Sequence, residues 1–303
     1  MDTQQSPGAG SEPDPPSCYR HPGRETYLSC TRCGKPACPE CLRSAAVGHQ
    51  CVDCIKGGNQ TVRQPTGVFG GRAMVSGAVV TVALIAINVV LYLVQLAYPQ
   101  LVQNWEMLGA ACTQVAGRTC VGPVGVAFGQ YYRLLTSAFI PGNSSLGIVD
   151  ILFNMWALLL VGPGLERLLG HVRFLVVYLA SALGGAALYY WLAAPNQPAV
   201  GASGAIFGLF GAWFVVSQRL RLNPRPIVTL IVLNLVLSFV GYKIIAWQDH
   251  IGGLITGGLL TAAFAYAPRK NRALIQIGAT VVVAAVLVVV IVTRNHDLTS
   301  LFS

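Results

Sequence analysis

Two short stretches of this chain hold residues that could do covalent chemistry: Gly201-Ala202-Ser203-Gly204 and Asp249-His250-Ile251-Gly252-Gly253. A serine hydroxyl is a weak nucleophile until a base takes its proton, and a neutral imidazole is the usual base. A serine that can meet a histidine is therefore a minimal kit for nucleophilic hydrolysis. Each stretch opens a hydrophobic run, which puts both side chains at membrane depth, where polar and ionisable groups are costly and tend to be functional. A serine that begins a helix also has unpaired backbone N–H groups and the positive helix end beside it, a ready stabiliser for an oxyanion.

The elements that must position these groups follow from composition. The 303 residues are 54% hydrophobic and only 10% charged, whereas a soluble domain carries about 25% charged residues. The chain reads as an integral membrane protein, all-α and polytopic. Seven apolar runs are candidate spans: Met74–Ala97, Gly147–Leu165, Val172–Ala193, Ser203–Gln218, Ile227–Tyr242, Asp249–Tyr266 and Ala273–Val292. Residues 1–17 read as a disordered polar tail rather than a signal peptide, 18–54 as a Cys-rich module, 55–73 as a linker, 74–293 as the membrane domain and 294–303 as a C-terminal tail. Arg167 and Arg173, then Arg219, Arg221 and Arg225, then Arg269, Lys270 and Arg272 fall in alternate loops. The positive-inside rule makes those loops and the N-terminus cytoplasmic and the C-terminus external, as for a protein of the cell membrane. From Arg219 back to Ser203 a helix rises about 24 Å, and from Arg269 back to His250 about 28 Å. Both groups then lie at similar depth near the outer face.

Gly204, Gly208 and Gly211 make a small-residue stripe on one run; Gly253 and Gly257 make another at i+3 and i+7 from His250. Small faces let membrane helices pack tightly, and if these two meet, Ser203 approaches His250. A chance G-x-S-G in a chain of 33 glycines and an interfacial histidine are the bland readings of each motif alone; the pair at matched depth outweighs them.

Together these residues resemble the rhomboid family of intramembrane serine proteases. The family's hallmarks are G-x-S-G on the fourth helix and H-x-x-G-x-x-x-G on the sixth, here Ser203 with its flanking glycines, then His250, Gly253 and Gly257. Tyr132-Arg133 with Thr136 looks like the loop signature before the second helix. Leu152-Phe153-Asn154-Met155 looks like the second-helix signature, and Gly162, Glu166, Arg167 and Gly170 like its cytoplasmic end. The seventh run looks like the six-plus-one form. The resemblance implies a seven-helix bundle in which Ser203 is the nucleophile and His250 the general base, with no third acidic member. It also implies that Asn154 and the Ser203 backbone N–H form the oxyanion hole, and that no cofactor serves the chemistry. On residue type alone, an interhelical hydrogen bond is the favoured reading of Asn154. Arg133 would anchor the outer loop. The implied substrates are single-span membrane proteins, cut near the outer leaflet. Three positions depart from the pattern: Asp150 where the family often has His, Phe207 where it often has Tyr, and Asp249 where Ala is usual. An ionised Asp150 would oppose an oxyanion; a protonated one could donate to it. A non-catalytic rhomboid-like client binder and a membrane transporter are the rival classes. Intact Ser203 and His250 count against the first, and sparse charges within the spans count against the second.

The Cys-rich module has the spacing Cys18-x2-His21, Cys30-x2-Cys33, Cys38-x2-Cys41 and Cys51-x2-Cys54. Eight ligands suffice for two tetrahedral structural Zn2+ ions, and a cytoplasmic module keeps its thiolates free for metal. It resembles a B-box-type cross-braced module, which implies that Cys18, His21, Cys38 and Cys41 share one ion and Cys30, Cys33, Cys51 and Cys54 the other. Sequential pairing is the alternative, as is His49 in place of Cys51. Protein binding is the expected role; the basic side chains there read as a solvated face rather than a nucleic-acid surface. Cys112 and Cys120 lie on the outer loop, free or joined by a disulfide.

Overall fold

The computed structural model describes residues 14–61, 67–70, 77–116, 119–142, 147–241 and 245–302. They fall into two compact units, Met1–Gln64 and Pro65–Ser303.

In the first unit, strand β1 (Ser17–Cys18) pairs antiparallel with β2 (His21–Glu25), and β3 (Leu42–Ser44) with β4 (His49–Cys51); helix α1 (Val52–Thr61) follows. Part of the expected linker is thus helical, while 62–66 and 71–76 lie outside the described residues, as does the tail up to residue 13. Its buried cluster is mostly sulfur: Cys18, Cys30, Cys38, Cys41 and Cys51, with only Ala37 and Leu42 added. So small an apolar core does not hold a fold without staples.

The second unit is helical. Helix α2 (Val79–Ala97) leads through α3 (Gln100–Trp105), an antiparallel hairpin β5 (Ala111–Ala116) and β6 (Thr119–Val124), and the short α4 (Arg133–Thr136). Then come α5 (Gly147–Leu169), α6 (His171–Leu192), α7 (Ser203–Arg219), α8 (Arg225–Val240), α9 (Trp247–Tyr266) and α10 (Arg272–Phe302). Among the described residues each of the seven apolar runs contains one long helix. By length and apolarity, Val79–Ala97, Gly147–Leu169, His171–Leu192 and Arg269–Ser300 suffice to cross a membrane, and α8 is apolar but shorter. The last helix continues well beyond Val292, through what the sequence suggested was a tail. Leu298 is buried there in a cluster with Val126 and Tyr190, and Asn295 donates to the Tyr131 hydroxyl and accepts from Tyr190.

Sequence explains how these helices are joined and packed. Gly170, at φ 84°, is the single residue between α5 and α6 and allows their sharp reversal. A Cβ on Gly253 or Gly257 of α9 would run into the Gly204 or Gly208 carbonyl of α7, so the two stripes lie in backbone contact. Helix α7 is buried along most of its length by small residues. It faces other helices rather than lipid, which is why it is poorer in large apolar side chains than the outer helices. The first turn of α2 lacks a cap of its own. Fully buried Glu166 of α5 supplies it, accepting from the Val80 and Thr81 amides at 2.8 Å, from Thr81 Oγ1 at 2.6 Å and from His171.

Candidate active site

The bundle brings the two motifs together. Ser203 is the first residue of α7, entered from Gly201 at φ 119°, a conformation that favours glycine. His250 lies in the first turn of α9 and is 6% exposed. Its Nε2 is 2.8 Å from Ser203 Oγ. The imidazole stacks on Phe207, with ring centroids 4.2 Å apart and planes at 10°. Phe207 therefore keeps the ring contact that a tyrosine would give.

The other ring nitrogen has a partner that sequence reading missed. His250 Nδ1 is 2.7 Å from Ser238 Oγ, and Ser238 Oγ donates to the Asn234 carbonyl one turn earlier at 2.6 Å. With its one proton committed to that carbonyl, Ser238 can only accept from the imidazole. Nδ1 then carries the ring proton, and Nε2 is left bare to accept from Ser203. The available signal was two polar residues, Asn234 and Ser238, one turn apart in the apolar second half of the helix. Ser238 is also the buried residue of α8.

Asn154 is buried on α5 and donates from Nδ2 to Asp150 Oδ1 at 2.8 Å. A Cβ placed on Gly201 would be 3.5 Å from Asp150 Oδ2 and 3.7 Å from Ser203 Oγ, so the Asp150 carboxylate and the Ser203 hydroxyl flank the same glycine. The second amide hydrogen of Asn154 remains for another acceptor. The Asp249 carboxylate fills the space that Gly185 of α6 and Gly204 of α7 leave open, where a Cβ on either would collide with it. Arg133 is buried; it donates to the Gln103 and Glu106 carbonyls at 2.8 and 2.9 Å and to Gln130 at 2.7 Å. Thr136 holds the Trp105 carbonyl at 2.9 Å. These bonds fasten the loop over the helix ends. Cys112 is disulfide-bonded; the side chain of Cys120 lies outside the described residues.

In the N-terminal unit, Cys18, His21, Cys38 and Cys41 form one set and Cys30, Cys33, Cys51 and Cys54 another, each with its ligand atoms within 4.8 Å of one another. His49, in β4, belongs to neither set among the described residues. Bond lengths of about 2.3 Å to sulfur and 2.0–2.1 Å to nitrogen put tetrahedral ligands about 3.8 Å apart for S···S and about 3.6 Å for S···N. The observed separations are 3.8 Å for Cys33–Cys51 and 3.8, 3.4 and 3.5 Å from His21 Nδ1 to Cys18, Cys38 and Cys41. The donor sets fit Zn2+ in size and in chemistry. The Cys51 amide, 3.2 Å from Cys30 Sγ, holds that thiol down at about 6 against its burial.

The region that carries these residues is similar to known proteins. The Rhomboid domain family matches residues 128–267, a span that holds Arg133, Asn154, Ser203 and His250 and excludes α2, α10 and the Cys-rich unit. The chain is 37% identical over 154 residues to the putative rhomboid protease YdcA of Bacillus subtilis (strain 168), covering 49% of this chain and 74% of that protein. It is 37% identical over 151 residues to the rhomboid protease GluP of the same organism, 48% of this chain and 28% of that one. To the rhomboid protease AarA of Providencia stuartii it is 25% identical over 251 residues, 73% of this chain and 84% of that one.

Proposed function

The chain belongs to the rhomboid family and is a rhomboid-type intramembrane serine protease, and from this we propose that Ser203 and His250 are its catalytic dyad, acting on membrane-anchored proteins near the outer leaflet. The 2.8 Å contact between Ser203 Oγ and His250 Nε2 carries this reading. As Oγ attacks the scissile carbonyl, its proton passes to Nε2, and the imidazolium then protonates the departing amine. The oxyanion takes the Ser203 N–H, which has no partner within the helix, and the free Asn154 amide hydrogen. Water enters from the outer face and His250 assists deacylation. A helical amide is hydrogen-bonded and shielded, so substrates carry small or helix-breaking residues near the outer boundary. The loop arginines support an inward N-terminus and an external C-terminus in the cell membrane. Residues 18–54 form a cytoplasmic module with two structural Zn2+ ions, held by the cross-braced sets and serving a protein partner.

The test is co-expression with model single-span substrates. Wild type cuts near the outer boundary, and Ser203→Ala and His250→Ala do not. Cleavage that persists unchanged in Ser203→Ala overturns the dyad.

A further inference from the structure

At the end of α7 and α9 away from the dyad, a cleft of about 240 Å3 is lined by Phe69, Arg219, Tyr266, Arg269 and Arg272. Arg219 lies over the Tyr266 ring, 5.5 Å from its centroid, and bonds the Ala265 carbonyl at 3.2 Å. The Arg272 side chain crosses Gly70, and its Nε is buried with no hydrogen-bond partner. Arg173 stands within electrostatic reach of Arg272. Among the described residues no carboxylate is in ion-pair distance of any of these four arginines.

A second groove of about 340 Å3 runs between α6 and α10. Val172, Arg173, Val176, Phe264, Ile277 and Val281 line it. Gln276 donates to the Phe69 and Phe264 carbonyls and accepts from Arg173, so it links residues that line the cleft to residues that line the groove. The positive-inside rule accounts for arginines at this end of the bundle. It does not account for a buried guanidinium nitrogen left unpaired, which costs free energy unless something accepts from it.

We propose that this is a binding site for an anionic phospholipid of the leaflet opposite the dyad, its phosphate held by Arg219, Arg269 and Arg272 and one acyl chain lying in the α6–α10 groove. Guanidinium groups match phosphate oxygens in geometry and charge, and basic pockets between membrane helices at this face suit anionic headgroups. A free phosphate would satisfy the arginines and leave the groove without a role; the lipid occupies both.

The full chain, purified in neutral detergent, is titrated with phosphatidylglycerol, phosphatidylcholine or inorganic phosphate, and bound lipid is read by native mass spectrometry. Wild type retains phosphatidylglycerol at least about tenfold over phosphatidylcholine. Each arginine near the headgroup contributes roughly a factor of five, so Arg219→Gln with Arg272→Gln lowers retention about 25-fold. Arg269→Gln alone lowers it about fivefold, and Arg167→Gln, exposed and outside the cleft, leaves it unchanged. Ile277→Trp fills the lipid-facing groove without altering a charge and weakens retention as well, which keeps the test valid if the double variant misfolds. Equal retention of the two lipids, or undiminished retention in both Arg269→Gln and Ile277→Trp, overturns the site. Displacement of phosphatidylglycerol by equimolar phosphate overturns the lipid as its ligand.

Discussion

Replacing Ser238 by alanine should slow catalysis although the residue is out of reach of any substrate atom bonded to Ser203. The hydroxyl accepts the Nδ1 proton of His250 at 2.7 Å because its own proton is spent on the Asn234 carbonyl at 2.6 Å. In Ser238→Ala the Nδ1–H is buried without an acceptor, since the ring is only 6% exposed. An unsatisfied buried donor costs about 1–3 kcal/mol. The imidazole relieves that cost by moving the proton to Nε2 or by turning, and either change removes the bare nitrogen that accepts from Ser203. Each 1.36 kcal/mol is tenfold in rate, so kcat should fall roughly 10- to 100-fold. KM should stay within about twofold, because the substrate-facing groups are unchanged. The assay is initial-rate cleavage of a single-span substrate in proteoliposomes, with kcat and KM separated. Ser238→Thr keeps the hydroxyl and should recover most of the rate, which a role in packing alone would not predict. A kcat for Ser238→Ala within twofold of wild type would refute the reasoning.

Other perturbations test other parts of the same structure. Asp150→Asn keeps an oxygen for Asn154 but removes a carboxylate from beside the nucleophile, and kcat should rise several-fold in the same assay; a tenfold fall would mean that the acid itself donates to the oxyanion. Glu166→Gln turns amide hydrogens toward four donors and should cost about 3 kcal/mol, seen as a drop of several degrees in the thermal unfolding midpoint in detergent; a midpoint within two degrees of wild type rejects the interhelical cap. The purified chain should carry two equivalents of zinc by elemental analysis. Cys51→Ser should lose one equivalent and His49→Ala none. Chelation should open residues 18–54 to limited proteolysis while leaving substrate cleavage in place, and a single equivalent in wild type would contradict two four-ligand sites.

Much of the architecture was legible because it follows from periodicity and residue size. The glycine stripes that bring α7 onto α9 are visible in the sequence, since only small residues permit backbone contact, and that contact sets the spacing of Ser203 and His250. Helix ends were less legible. The charged and polar residues from Arg294 to Asp297 look like the end of an apolar run, yet α10 continues because Leu298 finds a buried site and Asn295 finds two tyrosine hydroxyls. Such tertiary contacts leave no periodic trace. The Cys-rich spacing pointed to eight candidate ligands, with His49 an alternative to Cys51, but left their partition open, because pairs of equal spacing can be joined in more than one way until the chain is folded. Ser238 was hidden for a related reason: a serine in an apolar helix is usually spent on its own i−4 carbonyl, and nothing local shows that its lone pair also faces an imidazole from another helix.

That last contact makes the site uneven in its support. The two nitrogens of His250 are held from different helices. Nε2 meets Ser203 across the α7–α9 seam, where glycines put backbone against backbone. Nδ1 meets a helix that buries Ser238 and otherwise presents most of its side chains outward. Segments with few buried contacts open at lower free energy than packed ones. Any displacement of α8 therefore acts first on the proton at Nδ1, and through it on the state of Nε2, while the distance between Ser203 and His250 is still set by α7 and α9. The orientation of the imidazole, rather than its proximity to the serine, is the element of this site most sensitive to its surroundings.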